Sequence, residues 1–252
     1  SSKVMSLDII NASITEGWKR PTYFAMTVPS SYYLGLYPYL QCTGMAYQIT
    51  PIINQGNTPD EIISVNTDKM YENVTTKFRW GGLENDKDGH LYLDETVRRM
   101  VTTTRSTIID LAMALIDEGK YEKARNVLNL MEEKLPAASC PYSIQIGIRL
   151  AQAYAIIGEE DKSEEDTNKA IGILDKEIDM YAQYAIFCQS LSLNDYNRLS
   201  FNDQYADQHY FMDLLDLYGY IAPDKQVEEK MEKLQNRGVN FSRQLQFRER
   251  YK

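Results

Sequence analysis

The feature that most constrains this chain is a helical pattern that occurs twice, 39 residues apart. The first copy is LAMALIDEGKYEKARNVLNLMEEKLP, residues 111–136, and the second is LAQAYAIIGEEDKSEEDTNKAI, residues 150–171. In each copy, apolar residues recur every three or four positions along two segments, and a glycine separates the segments. Each copy therefore predicts a pair of helices joined by a tight turn.

The spacing within both copies is typical of tetratricopeptide repeats, whose period is about 34 residues. In the first copy, Ala112 and Ala124 are small enough for paired helices to approach closely, and Pro136 ends the second helix. The second copy keeps this frame at Leu150, Ala151, Tyr154, Gly158, Ser163 and Ala170. We predict tetratricopeptide-like helical hairpins, with the extra residues of the offset placed in the loop 137–142. An unrelated pair of helical hairpins is the alternative.

We predict a boundary between two domains near residue 93. Residues 93–252 are predicted to form the tetratricopeptide-like helical domain, and residues 1–92 a small α/β domain. In the smaller domain, strands are predicted at residues 23–28 and 46–53, and helices at 4–14, 33–41 and 68–78. Further helices are predicted near 203–218 and 224–236. The expected fold class is mainly α, with a two-stranded α/β unit before the helical hairpins.

Two segments of the smaller domain have predicted inward faces. In the helix at 4–14, we expect Leu7, Ile10 and Ile14 to point inward. In the strand at 23–28, which lies between two prolines, side chains should alternate between two sides. We expect Phe24 on one side as a core anchor, and Tyr23 on the other.

Composition limits the possible partners. The chain of 252 residues has a net charge of −9, which argues against nucleic acid as a partner because nucleic acid selects clustered Lys and Arg. No stretch approaches the roughly 18 apolar residues of a membrane-spanning helix. The three cysteines lack CxxC spacing, so neither a disulfide framework nor a zinc site is predicted: Cys42, Cys140 and Cys188.

The sequence predicts no catalytic residues and no cofactor, since it has no P-loop, GxGxxG, HExxH or GxSxG motif. One acidic stretch matches the oxygen-ligand spacing of a calcium loop at Glu84, Asp86, Asp88 and Glu95. The favoured interpretation is instead a polar turn in which Asp94 caps the following helix. We therefore expect no metal site.

Aromatic residues near the start of the chain form a candidate binding surface: Trp18, Tyr32, Tyr33, Tyr37 and Tyr39. Aromatic rings of this kind can form a platform for a glycan. More often they fill the core of a small domain or cover a neighbouring surface. Both interpretations stay open at this point.

A family resemblance is carried by four blocks. They are WKRPTYFAMTVPSSYYLGLYPYLQCTGMAYQITP at residues 18–51, NTDKMYENVTTKFRWGG at 66–82, LYLDETVRRM at 91–100 and ALIDEGKYEKA at 114–124. In order and spacing, these blocks resemble the soluble C-terminal portion of a family of large bacterial multi-pass membrane proteins. The membrane portion of that family resembles protein O-mannosyltransferases, which use lipid-linked sugar donors.

The resemblance implies a soluble, non-catalytic appendage on the periplasmic side of a bacterial membrane. Its expected partner is a protein segment or the membrane region of its own parent protein, and the alternative is a glycan or acceptor held by the tyrosine-rich segment. The family's presumed catalytic residues belong to the membrane part. Three arginines, Arg98, Arg99 and Arg105, are expected to pair with carboxylates, and phosphate of a lipid-linked donor is the alternative.

Overall fold

Ten α-helices and three short strands make up the part of the chain that this computed structural model describes, residues 2–86, 88–205 and 209–241. The chain divides into two units, Ser1–Pro141 and Tyr142–Lys252. The boundary near residue 93 stays a prediction about domains, and in the structure residues on both sides of it share the first unit. The predicted fold class, mainly α with a small N-terminal α/β part, is confirmed.

The first unit contains four helices and the sheet. Its elements are α1 (Ser2–Thr15), β1 (Tyr23–Ala25), β2 (Leu40–Cys42), β3 (Ala46–Ile49), α2 (Thr67–Glu72), α3 (Glu95–Asp117) and α4 (Tyr121–Lys134). The sheet is antiparallel in the order β1-β3-β2, so β3 is its central strand. A five-residue π-helix, Asn73–Lys77, continues α2 through most of the helix predicted at 68–78.

Two of the three strands were predicted, and β2 was not. The helix predicted at 33–41 is wrong, because this stretch follows one short 3₁₀ helix, Ser30–Tyr32, and forms a second, Tyr37–Tyr39, and the start of β2. Pro38 lies in the second 3₁₀ helix, where its missing N–H leaves no acceptor unsatisfied. Leu40 then begins a strand whose inward side chains are buried against the core.

The alternation predicted for β1 is confirmed, but its burial is not. Tyr23 and Ala25 are exposed and Phe24 is half-buried, with its ring centroid 5.3 Å from that of Tyr33. Because β1 pairs only with β3, it is an edge strand of the sheet, and the face that carries Tyr23 and Ala25 is exposed. Phe24 therefore packs onto the core from its rim.

The first predicted hairpin is formed by α3 and α4. Asp94 caps α3 by accepting a hydrogen bond of 2.8 Å from the N–H of Val97. Gly119 makes the turn between the helices with a φ of +71°, a conformation that favours glycine. Ala112 and Ala124 are fully buried at the predicted contact between the helices.

In its described residues, the second unit consists of helices and the loops that connect them, without strands. Its elements are α5 (Ile144–Glu160), α6 (Glu164–Ser190), α7 (Leu193–Tyr196), α8 (Phe201–Tyr205), α9 (Phe211–Ile221) and α10 (Asp224–Asn236). The second predicted hairpin is formed by α5 and α6, which enclose a core together with α9. A Cβ at Gly158 would lie 2.3 Å from the hydroxyl of Thr167, so only glycine fits this close approach. The helical hairpins are confirmed, and their assignment as tetratricopeptide repeats stays a prediction.

Two further properties concern the chain as a whole. In the described ranges, none of the helices combines the length and the apolar character needed to cross a bilayer. All three cysteines are buried free thiols, and burial raises the pKa of the Cys42 thiol to about 11. Cys42 therefore stays protonated at neutral pH and acts as a small apolar residue.

Candidate docking surface

Helix α1 exposes most of its apolar side chains. Ile10 is only 6% exposed and packs against the core of the first unit, and the hydroxyl of Ser13 shares a hydrogen bond of 2.7 Å with that of Thr22. Five large apolar side chains of the helix are each 50–62% exposed: Val4, Met5, Leu7, Ile9 and Ile14. The expectation that Leu7 and Ile14 point inward is wrong, because apolar and polar residues are mixed around α1 and, among its described side chains, the helix buries only Ile10 and Ser13 against the first unit.

The end of α1 has a defined geometry. The N–H of Gly17 donates to the carbonyl of Ile14 at 2.9 Å, and the N–H of Trp18 donates to the carbonyl of Ser13 at 2.8 Å. These two bonds form a Schellman motif, with Gly17 at a φ of +68°. The motif turns the chain so that Trp18 packs against the same core as Ile10. The helix is therefore anchored at its C-terminal end.

Most residues of the predicted aromatic binding surface pack against the core of the first unit. Tyr33 is buried and packs edge-on against Tyr47, at 6.1 Å between ring centroids. Trp18, Tyr37 and Tyr39 are half-buried against the same core. Of the five predicted residues only Tyr32, at 47%, counts as exposed.

An asparagine that the sequence analysis missed holds the tyrosine-rich segment in place. The amide nitrogen of buried Asn57 donates to the carbonyls of Tyr37 at 2.9 Å and Leu40 at 2.7 Å. Its amide oxygen accepts from the N–H of Ser64 at 3.0 Å. Asn57 thus satisfies backbone groups from two separate segments, a role that its position in a polar loop did not indicate.

Two of the four candidate calcium ligands, Asp86 and Glu84, are engaged by other groups of the chain. The carboxylate of Asp86 accepts from the N–H groups of His90 at 2.8 Å and Leu91 at 3.2 Å. Partial desolvation raises the pKa of Asp86, but these hydrogen bonds outweigh it and hold the pKa below its usual value. Glu84 lies 3.5 Å from the ammonium of Lys134.

The remaining two candidate calcium ligands, Asp88 and Glu95, are on different elements. Asp88 is exposed on the turn, and Glu95 is in the first turn of α3, where its charge favours the helix N-terminus. Nowhere in residues 2–86, 88–205 and 209–241 do three His, Cys, Asp or Glu side chains come together as a metal-binding group.

The second unit contains a buried carboxyl group. Glu177 of α6 is only 7% exposed, and its Oε2 accepts no hydrogen bond from the residues that the structure describes. It lies against Gly147 of α5, where an added Cβ would approach Glu177 Cγ to 3.0 Å. Burial raises the pKa of Glu177 to about 7.

These features define a mainly helical protein whose N-terminal α/β part carries a helix with exposed apolar side chains. Residues 1–69 match a family model described as TMEM260-associated domain 2. Neither the curated proteins nor the solved structures contain a match to this chain. The matched range contains α1, all three strands and the tyrosine-rich segment. It supports the resemblance to a membrane-protein family for this part of the chain.

Proposed function

We propose that this chain is a non-catalytic docking domain of a glycosyltransferase-like bacterial membrane protein, and that α1 is its docking helix. The observation that carries the proposal is the exposure of five large apolar side chains on α1, within the range that matches the TMEM260-associated domain. Burial of apolar surface contributes about 25 cal/mol per Å². Several large apolar side chains left exposed on one element are typical of a binding surface.

The proposed occupant is the membrane region of the parent protein, on the periplasmic side. A protein surface is favoured over lipid, because a chain with a net charge of −9 is repelled by anionic headgroups. The tetratricopeptide-like hairpins would then be available to a protein segment, since helical repeats commonly bind extended peptides. In this account, the glycosyl-transfer chemistry belongs to the membrane region.

Two adjacent isoleucines of α1 provide a matched test. The membrane region and this chain would be produced separately and combined in detergent, and complex formation would be measured by co-purification. Ile9→Ser, at an exposed position, should weaken the complex at least tenfold while the melting temperature of the chain stays unchanged. Ile10→Ala, at the buried position, should lower the melting temperature. Complex formation unaffected by Ile9→Ser and Leu7→Ser together would refute the proposal.

The rival function is binding of a glycan or acceptor by the tyrosine-rich segment. The exposure of Tyr32 is the observation in its favour. Calorimetry with soluble sugars distinguishes the two proposals, because stacking on this segment requires the exposed ring. Millimolar affinity that is lost in Tyr32→Ala would favour the rival. Tyr37→Ala serves as a comparison that removes a half-buried ring from the same segment.

A further inference from the structure

A polar cleft lies between α6 and α10 in the second unit, and Tyr218 of α9 contributes to its lining. The cleft has a volume of about 370 Å³. It adjoins a second lobe of about 340 Å³, since both are lined by Asp175, Lys230 and Lys233. These volumes are at the lower end of those of small-molecule sites. Every residue named here belongs to the second unit.

The wall formed by α6 is fixed by a buried lysine. The ammonium of Lys230 contacts the carboxylates of Asp175 at 2.7 Å and Asp179 at 3.2 Å, and it donates to the carbonyl of Asp175 at 3.2 Å. An ammonium has three protons, so these three acceptors occupy all of them. Arg237 also pairs with Asp179. The cations therefore hold the two carboxylates in place before any ligand binds.

The pKa of Asp179 agrees with this arrangement. Partial burial raises the pKa of the carboxyl, but hydrogen bonding and charge from Lys230 and then from Arg237 outweigh burial and leave it below the usual value. Asp179 is therefore ionised at neutral pH, and its charge is already balanced.

Other groups in the lining are available to a ligand. The side chains of Asn168, Gln226 and Lys233, which line the cleft, make no hydrogen bond to the part of the chain that the structure describes. Glu229 has one distant partner, the ammonium of Lys225 at 3.9 Å. Amide, carboxylate and ammonium groups together offer both donors and acceptors, and the negative and positive charges in the larger lobe are equal in number.

A glycine opens the wall of the cleft. Glycine inside a helix is destabilising relative to alanine, so a glycine there calls for an explanation. Gly147 and Gly158 have one, because an added Cβ would lie 3.0 Å from Glu177 and 2.3 Å from Thr167. At Gly172, in the interior of α6, an added Cβ would meet nothing within 4 Å. Gly172 lines the cleft, so the space beside it is open to a ligand.

We propose that this cleft binds a neutral, hydroxyl-rich molecule of the saccharide class. Each hydroxyl both donates and accepts hydrogen bonds, which matches the mixed lining. In the larger lobe, an anion such as phosphate would meet Asp175 and Glu229 as well as Lys230 and Lys233, and a metal cation would meet the same four groups. Repulsion offsets attraction for either kind of ion, so the charges of this lobe favour neither. The cleft belongs to the second unit, and the proposed docking helix belongs to the first.

The test is an NMR titration of the ¹⁵N-labelled 252-residue chain with free mannose, glucose, galactose and N-acetylglucosamine. At least one sugar should produce saturable shifts of amide signals from α6 and α10, with a Kd in the millimolar range. Gly172→Leu should weaken binding at least tenfold by filling the cleft. Gly219→Leu is the matched control, because Gly219 is a helical glycine of α9 with equally open space outside the cleft lining.

Thermal melts would establish that both variants fold, and Lys233→Met, which removes an available donor, should also weaken binding. The proposal is wrong if none of the four sugars produces saturable shifts, or if Gly172→Leu and Lys233→Met bind as the unaltered chain does. It is also wrong if the peptide Gly-Ser-Gly, acetylated and amidated at its ends so that it is uncharged, binds the cleft more tightly than every sugar. None of these outcomes affects the docking proposal, which is tested on α1.

Discussion

The guanidinium of Arg105 donates a hydrogen bond of 2.7 Å to the carbonyl of Cys140, a residue 35 positions further along the chain. The same nitrogen donates to the carbonyl of Leu135 at 2.8 Å and to that of Pro136 at 3.2 Å. Carbonyl groups at the end of a helix have no partner within the helix, and the end carries partial negative charge. Arg105, which lies in α3 and is fully buried, therefore caps the C-terminal end of α4.

Removing this guanidinium should destabilise the first unit. Arg105→Met keeps the side-chain volume similar but leaves the buried carbonyls of Leu135 and Cys140 without their donor. The expected loss is on the order of 3 kcal/mol in the free energy of unfolding, measured by chemical denaturation. Arg99→Met, at an exposed position of the same helix, should change it by less than about 0.5 kcal/mol. Equal effects of the two substitutions would contradict this role.

The close contact of α3 and α4 predicts the effect of a larger side chain. Ala124 is fully buried in the hairpin, so Ala124→Leu should overpack it and cost about 1–3 kcal/mol. Glu122→Leu introduces the same side chain at an exposed position of α4 and should have little effect. A melting temperature of Ala124→Leu equal to that of the unaltered chain would contradict the helix pairing on which the repeat assignment depends.

Calcium should not alter the stability of the chain. The carboxylate of Asp86 is occupied by two backbone N–H groups, and Glu84 lies beside Lys134. We expect the same melting temperature in millimolar calcium and in chelator. An increase with calcium that disappears in Asp88→Ala would establish the calcium loop instead.

Buried Glu177 should make the second unit less stable as the pH rises. Its pKa is about 7 in the folded chain, against an ordinary value of 4.5. From about pH 4.5 to about pH 7, the unfolded chain has released this proton and the folded chain still holds it, so stability falls across this window. The loss amounts to about 3 kcal/mol, and it stays constant at higher pH because both states are then ionised.

Glu177→Gln should remove this dependence, since glutamine has a similar shape and no charge. Relative to the unaltered chain, the variant should gain stability between about pH 5 and about pH 8, as measured by denaturation at each pH. Glu165→Gln, in the exposed first turn of α6, should follow the unaltered chain. Parallel pH profiles for Glu177→Gln and the unaltered chain would show that the carboxyl titrates normally.

The long helices could be predicted from the sequence, but which residues of α3 face the core could be predicted only in part. Its apolar period is sustained over several turns, which makes its existence unambiguous. However, Met100 has the spacing of the apolar stripe, eight residues before Ile108, and is exposed, whereas Val101 and Arg105 are buried. Arg105 lies four residues after Val101 and three before Ile108, so its position indicated burial while its charge argued against it. Arg105 is buried because its guanidinium donates hydrogen bonds to backbone carbonyls of residues after α4.

The candidate site was less predictable. Tyr32 and Tyr33 are adjacent and chemically identical, yet Tyr32 is exposed and Tyr33 is buried against the rings of Phe24 and Tyr47. In α1, apolar and polar residues are mixed on every side, so periodicity cannot indicate which face is buried. Only the packing of Ile10 against the sheet distinguishes that face.

The docking role of α1 is the central claim, and photocrosslinking in the full-length parent protein tests it most directly. A photoreactive amino acid would replace Ile9 on α1 or, as a control, Met180, an exposed apolar residue of α6. We predict crosslinks from position 9 to the membrane region and none from position 180. Crosslinks to the membrane region from position 180 alone would contradict the account and transfer the docking surface to the helical hairpins.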